Sequence, residues 1–202
     1  MDPFDQVIYL RELCVQCDFA AQAFDHLLDV LPHLDGCRHR EDTVLRAIHS
    51  FLGHACNVLC LLWPSDSVSM WGNAGTAARV WRARKRGEGL RDLLGLPPEP
   101  AQHELGQHAL RQHLAPFDQR LDALLARCPA LDADRVVAPQ DGGEHLQEPQ
   151  VLRYFATDTL EFIFGDEAYL LHPMALALAA VNKKAEAALA VLFEPPKRLL
   201  KP

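Results

Sequence analysis

The stretch LRQHLAPFDQRLD carries most of the side chains in this chain that could do chemistry together. Its polar members include Arg111, Gln112, His113, Asp118, Arg120 and Asp122. An imidazole can donate or accept a proton near neutral pH, and a guanidinium can bind a phosphate through a planar pair of donors. These residue types indicate either proton transfer beside a phosphate or the binding of a negatively charged partner.

The same stretch predicts an amphipathic helix from Leu110 to Cys128. Apolar residues recur at the spacing of one buried helical stripe; they are Leu110, Leu114, Phe117, Leu121 and Leu124. Pro116 interrupts the pattern because proline has no N–H and its ring crowds the carbonyl one turn back. We therefore expect a kink or a restart of the helix near Ala115.

Helical periodicity separates the two groups best suited to catalysis. At about 100° per residue, His113 lies roughly 160° around the helix from Arg111. His113 shares its side with Arg120, whereas Arg111 lies with Asp118 and Asp122. Arg111 and His113 could act on one phosphate if the helix bends or if a second copy of the chain contributes a residue. The alternative is that Arg111 and Arg120 form ion pairs with aspartates of the same helix or with residues of the third helix. Exposed ion pairs of this kind contribute little stability.

The remaining periodicity predicts a mainly α-helical protein. Helices are expected at about 4–30, 41–62, 76–94 and 173–193, in addition to the helix around Pro116. Alternating β-branched and aromatic residues predict strands near 152–156, 160–164 and 168–171. The expected fold is an antiparallel bundle of four to five helices with a small antiparallel β-hairpin or meander, at about 152–171, before the last helix. We expect one domain over 1–202, with a loop at 129–150 and the hairpin at 151–171 as an appendage.

Composition and charge exclude several classes of protein. Of the 202 residues, 49% are hydrophobic and 23% are charged, as in ordinary globular domains. A net charge of −7 argues against a nucleic-acid or membrane binder that uses its whole surface. No apolar run has the length of a membrane span, and residues 1–20 carry too many charges for a signal peptide. We expect a cytoplasmic protein of bacterial type, with no membrane partner and no indication of DNA binding.

The segment RVWRARKRGEGLR in the third helix is strongly basic and contains Trp81. Its charged members are Arg79, Arg82, Arg84, Lys85, Arg86, Glu88 and Arg91. Basic residues around an aromatic ring can bind phosphates and stack a base. The alternative is a structural helix that balances the acidic first helix. The candidate binding residues are Arg82, Lys85 and Arg86 here, and Gln112, Asp118 and Arg120 in the later helix.

Cys14, Cys17, Cys37 and His39 have a spacing that could supply four zinc ligands. However, Cys14 and Cys17 fall inside a predicted helix, whereas structural zinc sites usually take their ligands from tight turns. We therefore expect reduced cysteines and neither a metal nor another cofactor. A zinc-binding or small-ligand-binding bundle stays as an alternative.

Two segments, RKRGEGLRDLLGL and LRQHLAPFDQRLD, resemble bacterial proteins of the HEPN-like superfamily, which share the forms RGxxLRxxLGL and LRNxxEHFDERLD. The segments FLGHACNVLCLLWPS and YFATDTLEFIFGDEAYLL resemble the same group, so the likeness covers most of 50–171. The resemblance implies an antiparallel bundle that is usually a homodimer. In active members it implies a metal-independent ribonuclease site made of an arginine, a following polar residue and a histidine four to six positions later.

The departures from this family pattern fall on the groups that would transfer protons. By resemblance, Arg111 matches the family arginine and Gln112 takes the place of its usual asparagine. Ala115 and Pro116 take the places of the glutamate and the histidine. Arg111 can still stabilise developing negative charge, but Pro116 can act neither as a base nor as an acid.

We therefore expect a non-catalytic or degenerate HEPN-like protein, a dimeric binding or interaction protein whose basic surface would bind RNA. One alternative is an active metal-independent ribonuclease, a toxin or stress effector, that uses Arg111 and His113. Another is a structural protein whose apolar helix faces pack against a different chain.

Overall fold

Five helices and one small sheet make up the described part of the chain in the computed structural model. The described residues are 2–34, 38–65, 76–106, 110, 113, 117–127, 136–139 and 152–193. The helices are α1 (Pro3–Val30), α2 (Arg38–Leu62), α3 (Thr76–Leu94), α4 (Phe117–Arg127) and α5 (Leu171–Phe193). The strands are β1 (Val136–Ala138), β2 (Arg153–Ala156), β3 (Glu161–Phe164) and β4 (Glu167–Leu170). The chain is therefore mainly helical, as predicted.

α1 packs against α2 and α5 and supplies one wall of the core. The Asp2 carboxylate accepts a hydrogen bond from the Phe4 backbone N–H at 2.8 Å, and Pro3 begins the helix, as expected of an N-terminal cap followed by proline. Its buried residues recur every three or four positions; they are Leu10, Leu13, Cys17, Ala20, Phe24 and Leu27. This spacing turns one side of α1 toward the core.

α2 is the central helix, and apolar residues on several of its sides are buried. It is also the one helix in the described residues that is long and apolar enough to cross a membrane, but 56% of its most apolar window is buried within the protein. Such burial is typical of the core helix of a soluble protein. α3 follows and ends at Leu94, where Gly95 adopts a left-handed φ of 57°. Glycine is favoured there because it has no Cβ to clash.

The sheet has the order β1-β2-β3-β4, with β1 parallel to β2 and the other pairs antiparallel. Gly165 makes the turn between β3 and β4 with a φ of 62°, and the Leu124 side chain of α4 packs directly against it. The buried residues Phe155, Phe162, Phe164 and Tyr169 belong to the same core cluster as the buried helical residues. The sheet and the helical bundle therefore share one core.

Most element positions match the sequence-based expectations, and one strand does not. Leu110 is helical, His113 lies in a turn and α4 begins at Phe117, so the helix predicted from Leu110 to Cys128 is not continuous at His113. Ala115 and Pro116 themselves lie outside the described residues. Strand β1 was not expected, because the segment 129–150 was predicted to be a loop. Three residues are too few to show strand periodicity, and β1 is defined by its pairing with β2.

Two helical glycines should respond in opposite ways to the same substitution. A Cβ at Gly87 would lie 2.6 Å from Pro64 Cδ and 2.8 Å from the Leu62 carbonyl oxygen, whereas a Cβ at Gly53 meets nothing within 4 Å. Gly87→Ala should lower the free energy of unfolding by about 1–3 kcal/mol through overpacking. Gly53→Ala should raise it by about 0.5–1 kcal/mol, because alanine favours a helix. Urea denaturation measures both; an unchanged midpoint for Gly87→Ala would contradict the close packing of α3 against the end of α2.

Candidate functional site

A cluster of two histidines, an arginine, a glutamate and a tyrosine lies between α2, α4 and β4. We call it the histidine cluster; its members are His49, His113, Arg120, Glu167 and Tyr169. The imidazole rings of His49 and His113 stack with their centroids 5.8 Å apart, and the His113 ring meets the Tyr169 ring edge-on, also at 5.8 Å. Polar groups from distant parts of the sequence are therefore gathered at one place.

Arg120 connects α4 to β4 through the two polar members of the strand. Glu167 and Tyr169 are two residues apart on β4 and therefore face the same side of the sheet. The Arg120 guanidinium forms an ion pair with the Glu167 carboxylate and donates to the Tyr169 hydroxyl at 3.2 Å. That hydroxyl donates in turn to Glu167 Oε2 at 2.6 Å. The three side chains thus satisfy one another.

Aromatic rings form the apolar walls of the histidine cluster. The Arg120 guanidinium carbon lies 4.5 Å from the centroid of the Phe164 ring, and the Phe162 ring meets His49 edge-on at 5.4 Å. Before the turn that carries His113, the Cys56 thiol of α2 donates to the Leu110 carbonyl at 3.2 Å. These contacts hold the His113 segment against α2 and the sheet and remove much of the water around the two imidazoles.

This environment keeps both histidines neutral. Burial, followed by the charge of Arg153 and then that of Arg120, lowers the pKa of His49 to about 4. Burial, followed by the charge of Arg120 and the presence of His49, lowers the pKa of His113 to about 4. A group with a pKa of about 4 is protonated in roughly one molecule in a thousand at pH 7. Both rings can accept a proton there, but neither is a ready proton donor.

His113 also carries a buried polar atom that is not satisfied within the described residues. Its Nδ1 is shielded from solvent and has no hydrogen-bond partner in the part of the chain that the structure describes. Burial and a hydrogen bond to Glu167 raise the pKa of the neighbouring Tyr169 hydroxyl. The phenol therefore stays protonated at neutral pH and donates its hydrogen bond to Glu167, not to His113.

The structure brings together two of the predicted site residues, His113 and Arg120. The sequence placed them on one side of a helix; in the structure His113 lies in a turn, and both side chains contact Tyr169. The sequence also predicted, as an alternative, an ion pair of Arg120 with Asp118 or Asp122. Arg120 pairs instead with Glu167, which is 47 residues away in sequence, and Asp118 is exposed. Arg111 and Gln112 lie outside the described residues.

Three members of the histidine cluster were not predicted as site residues; they are His49, Glu167 and Tyr169. Each belongs to an element that the periodicity predicted, but only the packing of the His113 segment against α2 and β4 brings them together. The one local signal is the alternation in β4, which places Glu167 and Tyr169 on the same face.

The predicted binding residues of α3 divide into two groups. Arg82 and Lys85 are exposed, and Lys85 forms an exposed ion pair with Glu88 at 2.7 Å. Arg86 is half-buried: it donates to the Cys60 carbonyl at 3.1 Å, and its guanidinium lies 5.4 Å from the centroid of the Tyr9 ring. Arg86 thus contacts the C-terminal end of α2 and the side of α1, whereas Arg82 and Lys85 face solvent.

Trp81 lies on the same exposed face of α3. Ala78, Trp81, Arg82 and Lys85 follow the spacing of neighbouring residues on one side of a helix. The Trp81 side chain is 61% exposed, which is unusual for so large an aromatic residue. We call Trp81, Arg82 and Lys85 the basic face of α3.

The alternative zinc ligands are not gathered into a site within the described residues. Cys14 is half-buried and Cys17 is buried in α1, and His39 is exposed in the first turn of α2. Burial raises the pKa of the Cys17 thiol to about 12, which disfavours the thiolate that would bind zinc. Cys37 lies outside the described residues, and no group of three or more potential ligands is found within them.

No family model, curated protein or solved structure matches this chain.

Two arginines of α4 should contribute very differently to stability. The Arg120 and Glu167 side chains are 11% and 21% exposed, whereas Arg127 and its partner Asp166 are 57% and 56% exposed. Arg120→Ala should lower the free energy of unfolding by about 3 kcal/mol, because Glu167 is left with an uncompensated charge. Arg127→Ala should cost less than about 1 kcal/mol. Urea denaturation of the two variants provides the measurement; equal losses would show that Arg120 does not hold α4 on the sheet.

Proposed function

We propose that this chain is a non-catalytic HEPN-like protein of the cytoplasm that acts as a homodimer and binds single-stranded RNA through the basic face of α3. The observation that carries the proposal is the exposed Trp81 ring beside Arg82 and Lys85 on one helix face. Arg111 and Gln112, which match the arginine and asparagine positions of the family pattern, are proposed as further RNA-binding residues.

The chemistry of the basic face suits an unpaired nucleic-acid strand. Lysine and arginine neutralise phosphates, and an exposed indole ring offers a flat surface on which a base can stack. Bases are available for stacking in single strands, whereas they are stacked on one another in a duplex. Because the whole chain has a net charge of −7, the basic face is a local exception that would orient an approaching RNA.

The neutral state of the histidine cluster supports a binding role over a catalytic one. Metal-independent RNA cleavage needs a base for the 2′-hydroxyl and an acid for the leaving oxygen. His49 and His113 both favour the neutral form at pH 7, so the cluster provides a base but very little acid. The proline at position 116 leaves the family's own histidine position without a titratable group.

Binding to RNA can be tested by fluorescence anisotropy with a short labelled oligouridylate. Trp81→Ala should weaken binding by about tenfold through the loss of stacking, and Arg82→Glu should weaken it by at least about as much. Arg82→Glu should also make the dependence on salt less steep, by about 0.7 in the logarithmic slope for each lost phosphate contact.

Two matched variants separate the basic face from general effects of charge and exposure. Lys183→Glu, on the exposed side of α5, changes the net charge by the same amount as Arg82→Glu. Leu176 of α5 is 61% exposed, the same as Trp81, so Leu176→Ala is the control for loss of an exposed apolar side chain. The proposal would be contradicted if the test and control variants weakened RNA binding equally, or if the wild type did not bind RNA at low salt.

The second candidate function is a metal-independent ribonuclease. One observation favours it: His49 and His113 lie side by side, and Arg120 is near enough to lower the pKa of both. Two imidazoles and a guanidinium are the groups that such a reaction uses. A ribonuclease reaction at this cluster would need either His49 or His113 to be protonated.

We expect no cleavage of total RNA in the presence of EDTA above the level seen with Arg111→Ala and His113→Ala. A reaction that uses one neutral and one protonated histidine would accelerate as the pH falls from 7 toward 4, because the protonated fraction grows toward the pKa of about 4. Gel analysis at pH 7 and pH 5 covers both cases. The ribonuclease would be established instead by cleavage that increases at pH 5 and is lost in His113→Ala. This cleavage should persist in the exposed control His26→Ala.

A further inference from the structure

α1 has a second apolar stripe on the side opposite its buried residues. Phe4, Ile8, Val15 and Phe19 are between 39% and 73% exposed. At about 100° per residue the four side chains fall within roughly 60° of one another, and roughly 160° from the middle of the buried side. Soluble helices usually present polar residues on this side, so a continuous apolar stripe indicates an interaction surface. We call it the outer stripe.

The spacing of the outer stripe is symmetric. Its members are separated by four, seven and four residues, and the midpoint falls between Arg11 and Glu12. If a second copy of α1 lies antiparallel across this midpoint, Phe4 of one copy faces Phe19 of the other. Ile8 likewise faces Val15. A two-fold interface requires a surface that is complementary to itself, and the outer stripe has this property.

A groove between α1 and α2 adjoins one end of the outer stripe. It has a volume of about 400 Å³, and Phe19 forms part of its wall, with its ring 5.2 Å from that of His54. Ala23 and Ala47 give it an apolar lining, and Arg46 and Ser50 add polar groups. In the antiparallel arrangement, Phe4 of the second copy falls at this end of the groove.

We propose that the outer stripe and the α1–α2 groove form a two-fold interface between two copies of this chain, with Phe4 of each copy seated beside Phe19 of the other. This inference gives a surface to the homodimer of the proposed function and rests on it. The occupant is a second copy because a symmetric stripe matches a partner that carries the same spacing in reverse, and this chain supplies that partner.

The extent of the surface is consistent with a stable contact. The outer stripe runs for about 22 Å at 1.5 Å per residue. A standard interface buries about 800 Å² on each partner, which is more than one row of side chains provides. The groove extends the surface on one flank. On the other flank, the exposed Phe193 ring of α5 lies 5.4 Å from the Arg11 guanidinium and continues the apolar area.

The charges beside the outer stripe determine how the dimer should respond to salt. Asp5, Glu12 and Asp18 flank the stripe, against Arg11 as the basic residue beside it. In the antiparallel register Asp5 of one copy faces Asp18 of the other, whereas Arg11 faces Glu12. Because each copy also has a net charge of −7, repulsion prevails, and salt should screen it and strengthen the dimer. RNA binding to α3 should weaken with salt instead. The opposite responses keep the two proposals distinguishable.

Sedimentation velocity on the full chain without RNA tests the interface. The wild type should sediment as a dimer of twice 22.6 kDa, and more completely as salt increases. Ile8→Glu and Val15→Lys should each raise the dimer dissociation constant at least tenfold. An equimolar mixture of the two variants should recover the dimer, because in the antiparallel arrangement the new carboxylate faces the new ammonium group. Leu176→Glu, which changes an exposed leucine on α5, should stay dimeric.

Three results would overturn the inference. A wild type that remains at 22.6 kDa at tens of micromolar would exclude the dimer. A dimer that both Ile8→Glu and Val15→Lys leave intact would place the contact elsewhere. A mixture of the two variants that stays monomeric would exclude the antiparallel register. Circular dichroism confirms that each variant is folded, and Phe4→Ser, at the most exposed position of the stripe, replaces any variant that is not.

Discussion

The partly buried guanidinium of Arg120 is the constraint on which the arrangement of α4, the sheet and the histidine cluster depends. A charge removed from water costs several kcal/mol unless it is paired and hydrogen-bonded, and Glu167 and the Tyr169 hydroxyl supply that pairing. The Phe164 ring covers the guanidinium on one face. Because all three partners come from β3 and β4, α4 can satisfy Arg120 only when it docks on the sheet in one position.

Arginines elsewhere in the chain serve the same purpose of joining elements. Arg86 and Arg91 of α3 donate to the carbonyls of Cys60 and Leu62, which lie in the last turn of α2 and lack helical donors. The strongly basic segment seen in the sequence therefore contains residues of two kinds. Some hold the end of α2, and others, including Arg82 and Lys85, are exposed on the basic face of α3. This division makes the exposed basic surface smaller than the count of basic residues suggests.

The sequence predicted the elements but not the tertiary partners of the predicted site residues, for physical reasons. Helix boundaries depend on local signals, such as Gly95 after α3 and Pro173 in the first turn of α5; the prediction matched the end of α3 and placed the start of α5 two residues late. The partner of Arg120 was not, because contacts between side chains 47 residues apart depend on packing. The outer stripe of α1 was missed for a related reason. Periodicity reveals apolar spacing, but only the packed structure shows which of two apolar sides remains exposed.

The Glu167 carboxylate cannot both pair with Arg120, which docks α4 on the sheet, and raise the pKa of a neighbouring histidine. A histidine that donates protons at pH 7 needs a nearby negative charge to raise its pKa. In this structure burial and arginine charges lower the pKa of His49 and of His113, and no carboxylate of the described residues contributes to either shift. Glu167 is close by but is neutralised by Arg120 and hydrogen-bonded by Tyr169. Burial is therefore the main reason that both imidazoles are neutral, and the ion pair that fixes α4 on the sheet adds to it, because it occupies the nearby carboxylate.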